Sequence, residues 1–177
     1  MSISAREKEY YDKHWQRTKP QIIQEKLTIP EIGSLRNRRV LICSCGNGVF
    51  PVMAANDGAE VFAFDISETA VAKAREMAAY NGISAKIEVM DFESLNYPDN
   101  FFDVIFGHMI LHHIDCSMAS KEIHRCLKPE GIAYFKENSD RNPILRFFRR
   151  ALFGKPGEIQ KQRFLFFERG GTSDEYP

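Results

Sequence analysis

Short apolar segments that alternate with helical segments constrain the fold of this chain more than any other feature. The predicted strands are segments 40–43, 61–64, 85–90, 102–106 and 132–135. The predicted helices are segments 50–57, 68–80 and 117–127, the last two with Ser67 and Ser117 as N-caps. Strands and helices in alternation form right-handed βαβ units, so we predict an α/β fold with a parallel sheet that has helices on both faces.

Composition and charge narrow the class of protein. The chain has 177 residues, which suits one domain, and its 24 basic and 24 acidic side chains cancel. A zero net charge disfavours nucleic acid as a partner, although segment 141–170 has a local basic excess. The four cysteines form no CxxC pair, the N-terminus is too charged for a signal peptide, and no apolar run is long enough to span a membrane. We therefore expect a cytoplasmic protein with reduced thiols.

The turn after the first strand, residues 44–48, is the first candidate binding element. Gly46 and Gly48 let backbone approach a ligand closely, and the helix that follows directs free N–H groups toward it. Pro51 stands where a dinucleotide-binding loop has its third glycine, and the Gly-Lys-Ser/Thr of a phosphate-binding loop is absent. A plain tight turn is the alternative interpretation.

Acidic residues end the second and third strands. Asp65, followed by Ile66, is placed to accept hydrogen bonds from ribose hydroxyls, and Asp91, followed by Phe92, to bind an adenine base. Open α/β sheets bind ligands at the carboxyl ends of their strands, so these positions predict an adenosine site. A helix-capping role for Asp65 is the alternative.

Four segments together resemble a known family, the class I S-adenosylmethionine-dependent methyltransferases of the small-molecule type. They are VLICSCGNG, FDISETAVAKAREMAAYNG, FFDVIFGHMILHHI and EIHRCLKPEGIAYFKEN, in the family's order over residues 38–138. The resemblance implies a Rossmann-like sheet with strand order 3-2-1-4-5, its sixth and seventh strands missing or rudimentary. The chain departs from the family at Ile42, where an acidic residue is common, and at Ser44 and Glu130, where glycines are common.

The resemblance implies S-adenosylmethionine as cofactor and methyl transfer to a small molecule as function. Its expected cofactor-binding residues are Tyr11, Ser44, Cys45, Gly46, Asn47, Gly48, Asp65, Ile66, Asp91, Phe92 and His108. His113 and His108 are the candidate general bases, because histidine titrates near neutrality, and a role in orienting the local backbone is the alternative. His113 and Asp115 lack a third ligand, so we expect no metal site. A non-catalytic or partner-dependent binding module and an RNA-modifying methyltransferase are the alternative functions.

Three regions are predicted along the chain: an N-terminal helical cap (1–37), the cofactor-binding core (38–140) and a basic, aromatic C-terminal segment (141–177). In the cap, Pro20 separates two predicted helices. In the C-terminal segment, residues 163–167 are expected to cover the open edge of the fifth strand, within the chain or across a homodimer. The shortness of this segment indicates either a fragment or a sheet completed in an unusual way.

Overall fold

A computed structural model of the chain describes residues 12–30, 32–111, 113–137 and 163–168. The strands within these ranges are β1 (Arg39–Cys43), β2 (Glu60–Asp65), β3 (Ala85–Val89), β4 (Phe102–His108), β5 (Leu127–Glu137) and β6 (Arg163–Glu168). The helices are α1 (Val49–Asn56), α2 (Glu68–Tyr80) and α3 (Cys116–Cys126). None of the helices described is both long enough and apolar enough to cross a membrane.

The strands form one sheet in the order β3-β2-β1-β4-β5-β6. The β1–β2, β2–β3, β4–β5 and β5–β6 pairs are all parallel. The α/β class and the predicted strand order are therefore confirmed. The sixth strand is present over six residues and pairs with β5, as expected for segment 163–167, and no seventh strand lies among the described residues.

The chain divides into two compact units, Met1–Asp91 and Phe92–Pro177. In the first unit, residues 40–43 of β1 are almost completely buried, which explains why this strand is apolar on both faces. The Ser67 side chain accepts a hydrogen bond from the Ala70 N–H at 3.0 Å, so the predicted N-cap of α2 is confirmed. Val71, Ala74, Met77 and Ala78 are all buried, so α2 has one apolar face that packs in the interior.

The second helix predicted after Pro20 is wrong, because residues 18–28 contain no helix. Their backbone groups bond to the ends of α1 and α2 instead. The Ile23 N–H donates to Asn81 Oδ1 at 2.8 Å, and the Leu27 N–H donates to the Met53 carbonyl at 2.9 Å. Ile23 and Leu27 are buried, so tertiary packing, not local helix propensity, sets this conformation.

Helix α3 begins with a different cap from the one expected. Asp115, not Ser117, is the N-cap, and its carboxylate accepts from the N–H groups of Ser117 (2.8 Å) and Met118 (3.3 Å). A carboxylate at this position also interacts favourably with the helix dipole, which a serine hydroxyl does only weakly.

Residues 128–131, which lie between the predicted helix 117–127 and the predicted strand 132–135, form an irregularity inside β5 and not a separate turn. Phe102 pairs with Leu127 whereas Val104 pairs with Ile132, so β5 contributes more residues than β4 between these two pairs. Pro129 lies in this extra stretch, and proline, which lacks an N–H, is tolerated at a bulge. Residues 128–131 therefore form a bulge in β5 and do not end the strand.

In the second unit, Arg125 near the end of α3 holds the connection that precedes β4. Its guanidinium donates to the carbonyl oxygens of Leu95 (2.8 Å) and Tyr97 (2.6 Å). It also pairs with the carboxylates of Glu122 (2.7 Å) and Asp99 (2.9 Å). Since a planar guanidinium supplies five donors in a fixed arrangement, one side chain serves both carbonyls and both carboxylates.

Replacing Arg125 by alanine is expected to lower the free energy of unfolding by about 2–4 kcal/mol, because two carbonyls and a half-buried carboxylate lose their donor. Arg125→Lys should recover only part of the loss. The hydrogen bond from Arg125 lowers the pKa of Glu122, so the contribution of Glu122 is present above pH 4.5 and is lost as pH falls through its lower folded pKa. Urea unfolding of both variants between pH 3 and 7 measures this. Equal stability of Arg125→Ala and wild type at neutral pH would contradict it.

Candidate functional site

The turn between β1 and α1 contains three residues with positive φ: Ser44 (51°), Gly46 (54°) and Gly48 (90°). The Cys45 N–H donates to the Phe64 carbonyl at 2.9 Å, which ties this turn to the end of β2. A β-carbon at Gly48 would lie 2.7 Å from the Ala74 Cα, so glycine is required there for α1 to begin against α2. The need for glycine at position 48 is therefore explained by its positive φ and by packing against α2, without a ligand.

Ser44 occupies a conformation that glycine adopts at no steric cost. A left-handed backbone costs a non-glycine residue roughly 1–2 kcal/mol, which gives a physical reason for the glycine common at this position in the family that the chain resembles. The serine is half-buried, so it carries this strain at the centre of the candidate site.

Ser44→Gly is expected to raise the free energy of unfolding by about 0.5–1 kcal/mol, because relief of the strain exceeds the added entropy of the unfolded chain. Thermal and denaturant unfolding measure this. As a matched control, Ser120→Gly inside α3 should be destabilising, since Ser120 lies in a regular helix. If Ser44→Gly proves as destabilising as Ser120→Gly, the strain argument is wrong.

Asp65 at the end of β2 connects the turn to the start of α2. Its Oδ2 accepts from the Gly46 N–H at 2.9 Å, and its Oδ1 accepts from the Ser67 N–H at 3.0 Å. The side chain is almost completely buried, and burial raises the pKa of Asp65, whereas the N–H groups of Ser67, Gly46 and Ile66 act in the opposite direction. The carboxylate thus fixes the conformation of the turn, a role that the sequence did not reveal.

The N-terminal segment contributes two residues that sequence analysis did not select. Residues 12–15 are helical, and the Trp15 indole lies against Gly46. Asp12 accepts hydrogen bonds from the Ser67 hydroxyl and from the Thr69 N–H (3.3 Å). The resemblance of this segment to the family pointed to Tyr11, which lies outside the described residues.

Four other predicted cofactor residues in the first unit differ in exposure. The Cys45 side chain is buried, and burial raises the pKa of its thiol, so that only its backbone is suited to contact a ligand. Asn47 and Ile66 are half-buried at the same end of the strands. Asp91, two residues after β3, is exposed.

The second unit contains Phe92 and the two candidate histidines. Phe92 is only 3% exposed, and its ring centroid is 6.4 Å from that of Phe135, so this ring packs in the interior of the unit. His108 is the last residue of β4 and is half-exposed. The His113 N–H donates to the Ile110 carbonyl at 2.9 Å, and His113 is also partly exposed. His108 and His113 lie respectively at and just beyond the carboxyl end of β4, where a parallel sheet presents its functional residues.

Comparison with known proteins identifies the family. Residues 41–135 match the family model described as a methyltransferase domain. The chain is 32% identical to a glycine/sarcosine/dimethylglycine N-methyltransferase of Actinopolyspora halophila, over 70% of this chain and 24% of the relative. It is 31% identical to a ubiquinone biosynthesis O-methyltransferase of Pseudomonas syringae pv. tomato, over 68% of this chain and 52% of the relative.

A solved structure shares the fold. The PH0226 protein of Pyrococcus horikoshii OT3 superimposes with a TM-score of 0.52 at 32% identity, over 54% of this chain and 47% of that one. The chain spans about half or less of the length of these relatives. Together with the sheet order and the turn after β1, these matches show that the chain belongs to the class I S-adenosylmethionine-dependent methyltransferases.

Proposed function

We propose that this chain binds S-adenosylmethionine at the carboxyl ends of its strands and transfers the methyl group to a small molecule. The observation that carries the proposal is the buried Asp65 carboxylate, which holds the Gly46 backbone in place at the end of β1 and β2. The residues fit an adenosine group. A carboxylate has about four acceptor positions, so Asp65 can serve ribose hydroxyls beside its backbone donors.

The proposed cofactor residues are those that the family resemblance implies. The backbone of Ser44, Cys45, Gly46, Asn47 and Gly48 would face the cofactor, with Ile66 beside the ribose. Asp91 and Phe92 are assigned to binding of the adenine. Tyr11 is assigned to closure over the cofactor, and His108 is assigned to the region around the reacting methyl group. Because Phe92 is buried, we propose that it supports the adenine site from within the fold and that Asp91 provides the polar contact.

Chemically, the bound cofactor supplies a methyl group already activated as a sulfonium. The protein therefore has mainly to orient the acceptor and, where the acceptor holds a proton, to remove it. We propose His113 as the general base, with His108 as the second candidate. Both are partly exposed, so an acceptor can reach them.

The small-molecule acceptor is supported by the named relatives, which include a glycine/sarcosine/dimethylglycine N-methyltransferase and a ubiquinone biosynthesis O-methyltransferase. A methyltransferase-like binding module without catalysis is the second candidate, and the observation that favours it is Ile42 in place of an acidic residue. RNA as an acceptor is disfavoured by the zero net charge. Three statements stay predictions: the region boundaries at residues 37 and 140, a cytoplasmic location, and a homodimer through the C-terminal segment.

Transfer of a labelled methyl group tests this proposal. The full chain, given S-adenosylmethionine labelled in the methyl group, should move label into a small-molecule fraction from a panel of amines, phenols and quinol precursors, and not into RNA. Glu60→Gln is the matched control for Asp65→Ala. It removes an exposed carboxylate from the same strand and should retain transfer. Binding of the cofactor without transfer to any acceptor class would support the binding module instead, and label in RNA alone would contradict a small-molecule acceptor.

A further inference from the structure

Four non-glycine residues in the part of the chain that the structure describes have positive φ, and two of them are asparagines. Asn37 (60°) and Asn100 (53°) stand shortly before β1 and β4, and asparagine adopts the left-handed region more readily than most residues. Ser44 (51°) and Met109 (56°) directly follow the last residues of β1 and β4. The two costly cases therefore stand at the carboxyl ends of strands, where α/β folds bind their ligands.

Met109 separates the pairing of β4 with β5 from the turn that contains His113. Its N–H donates to the Lys136 carbonyl at 2.9 Å, which continues this pairing one residue beyond His108. Its positive φ then turns the backbone out of the extended conformation. The His113 N–H donates to the Ile110 carbonyl at 2.9 Å, so a turn follows at once. The conformation of one residue therefore decides in which direction the chain leaves β4 and where His113 lies.

The packing around Met109 compensates for this conformation. The Ile110 and Leu111 side chains, which follow it, are buried. A β-carbon built on Gly107 would lie 2.5 Å from the Phe135 ring and 3.1 Å from Ile110 Cγ2, so this glycine leaves the space that Ile110 occupies after the bend. Buried neighbours thus hold in place a backbone conformation that methionine itself disfavours.

We propose that Met109 is a positioning residue for methyl transfer, which acts through its left-handed backbone by fixing the turn that contains His113. A displacement of about 1 Å in a reacting group can slow a reaction by about 10²-fold, so a turn held in one conformation contributes to turnover. Because the role belongs to the backbone, a residue that holds the same conformation should serve as well. This inference rests on the proposed function, which assigns the general base to His113.

Three substitutions at position 109 separate the backbone from the side chain. Met109→Gly adopts the left-handed region at no cost but also many other conformations, so the turn should be held less firmly. This variant should keep or raise the melting temperature and lower turnover by roughly tenfold. Met109→Asn tolerates the left-handed region and is less free than glycine, so turnover should recover to within about threefold of wild type. Met109→Ala has the backbone preference of methionine without its side chain and should also recover turnover.

Turnover is measured with S-adenosylmethionine labelled in the methyl group and the panel of amines, phenols and quinol precursors. Amide hydrogen exchange at His113 measures the turn independently of any acceptor. In Met109→Gly this amide should exchange roughly tenfold faster than in wild type, because its hydrogen bond to Ile110 opens more often. The affinity for S-adenosylhomocysteine should not change. The matched control, Asn100→Gly, alters a left-handed residue just before β4 and should leave turnover and His113 exchange as in wild type.

The outcomes separate the positioning role from the proposed function. Faster exchange and lower turnover in Met109→Gly, both recovered in Met109→Asn and Met109→Ala, would support the role. An equal loss of turnover in all three variants would overturn it, since the methionine side chain would then be required. Unchanged exchange in Met109→Gly, or faster exchange with unchanged turnover, would overturn it and leave the proposed function intact. Absence of transfer by wild type would overturn the proposed function and the positioning role with it.

Discussion

Replacing Asp65 by alanine is expected to lower the free energy of unfolding by about 3–5 kcal/mol, because the N–H groups of Gly46 and Ser67 lose their shared acceptor in the interior. The same change should weaken S-adenosylhomocysteine binding by about 1.5–3 kcal/mol through loss of hydrogen bonds to a charged group. Urea unfolding and titration calorimetry at neutral pH measure the two effects.

The control for this prediction is Glu60→Gln, a change at the exposed start of β2 that should alter stability by no more than about 0.5 kcal/mol. If Asp65→Ala were as stable as wild type, the carboxylate would not be the link between the turn and α2. If it were destabilised but bound the cofactor normally, Asp65 would be a structural residue and not a ribose ligand.

The second large effect is expected from the candidate base. If His113 removes a proton from the acceptor, His113→Ala should lower turnover by about 10²–10⁴-fold and leave the affinity for S-adenosylhomocysteine unchanged. His108→Ala, tested separately, reports on the alternative base. His124→Ala on α3 is the control, since it removes a histidine from a helix with no proposed role in the chemistry.

Turnover and stability together distinguish the two roles of His113. If His113 is the base, His113→Ala should lose turnover and keep the melting temperature of wild type. If the His113 side chain only orients the loop after β4, His113→Ala should lose stability or cofactor affinity, with little change in turnover at saturating cofactor. The second result would contradict the catalytic assignment.

Local patterns in the sequence predicted the elements of the sheet well. The strands are short and buried, so each is visible as an apolar run, and α2 combines a strong N-cap at Ser67 with a regular apolar face. Asp65 was found because it ends such a run. Its contact with Gly46 could not be predicted, because the hydrogen bond from the Gly46 N–H joins the turn after β1 to the end of β2.

Where local signals competed, the sequence was a poorer guide. Asp115 and Ser117 are both good N-caps two residues apart, and the charged one begins α3. The residues 128–131 have turn chemistry, but pairing of β5 with β4 continues on both sides of them. The segment after Pro20 resembled a helix in charge pattern, yet its backbone bonds to α1 and α2.

The contacts made by the N-terminal segment could not be predicted from the sequence at all. Nothing in the spacing of Asp12 and Trp15 indicates that they contact Ser67 and Gly46, because these pairs are separated by tens of residues in the chain. Only the tertiary fold brings them together. An aromatic residue near the N-terminus was a usable indication of a segment over the site, but it did not identify which residue makes the contact.

Titration calorimetry of the full chain with S-adenosylhomocysteine tests the central claim most directly, since the family assignment and the site both require an adenosine-containing sulfur cofactor at Gly46 and Asp65. The account predicts one site per chain with a dissociation constant in the micromolar range, roughly −8 kcal/mol, and no comparable binding of NAD. Tight binding of NAD, with none of S-adenosylhomocysteine, would contradict it.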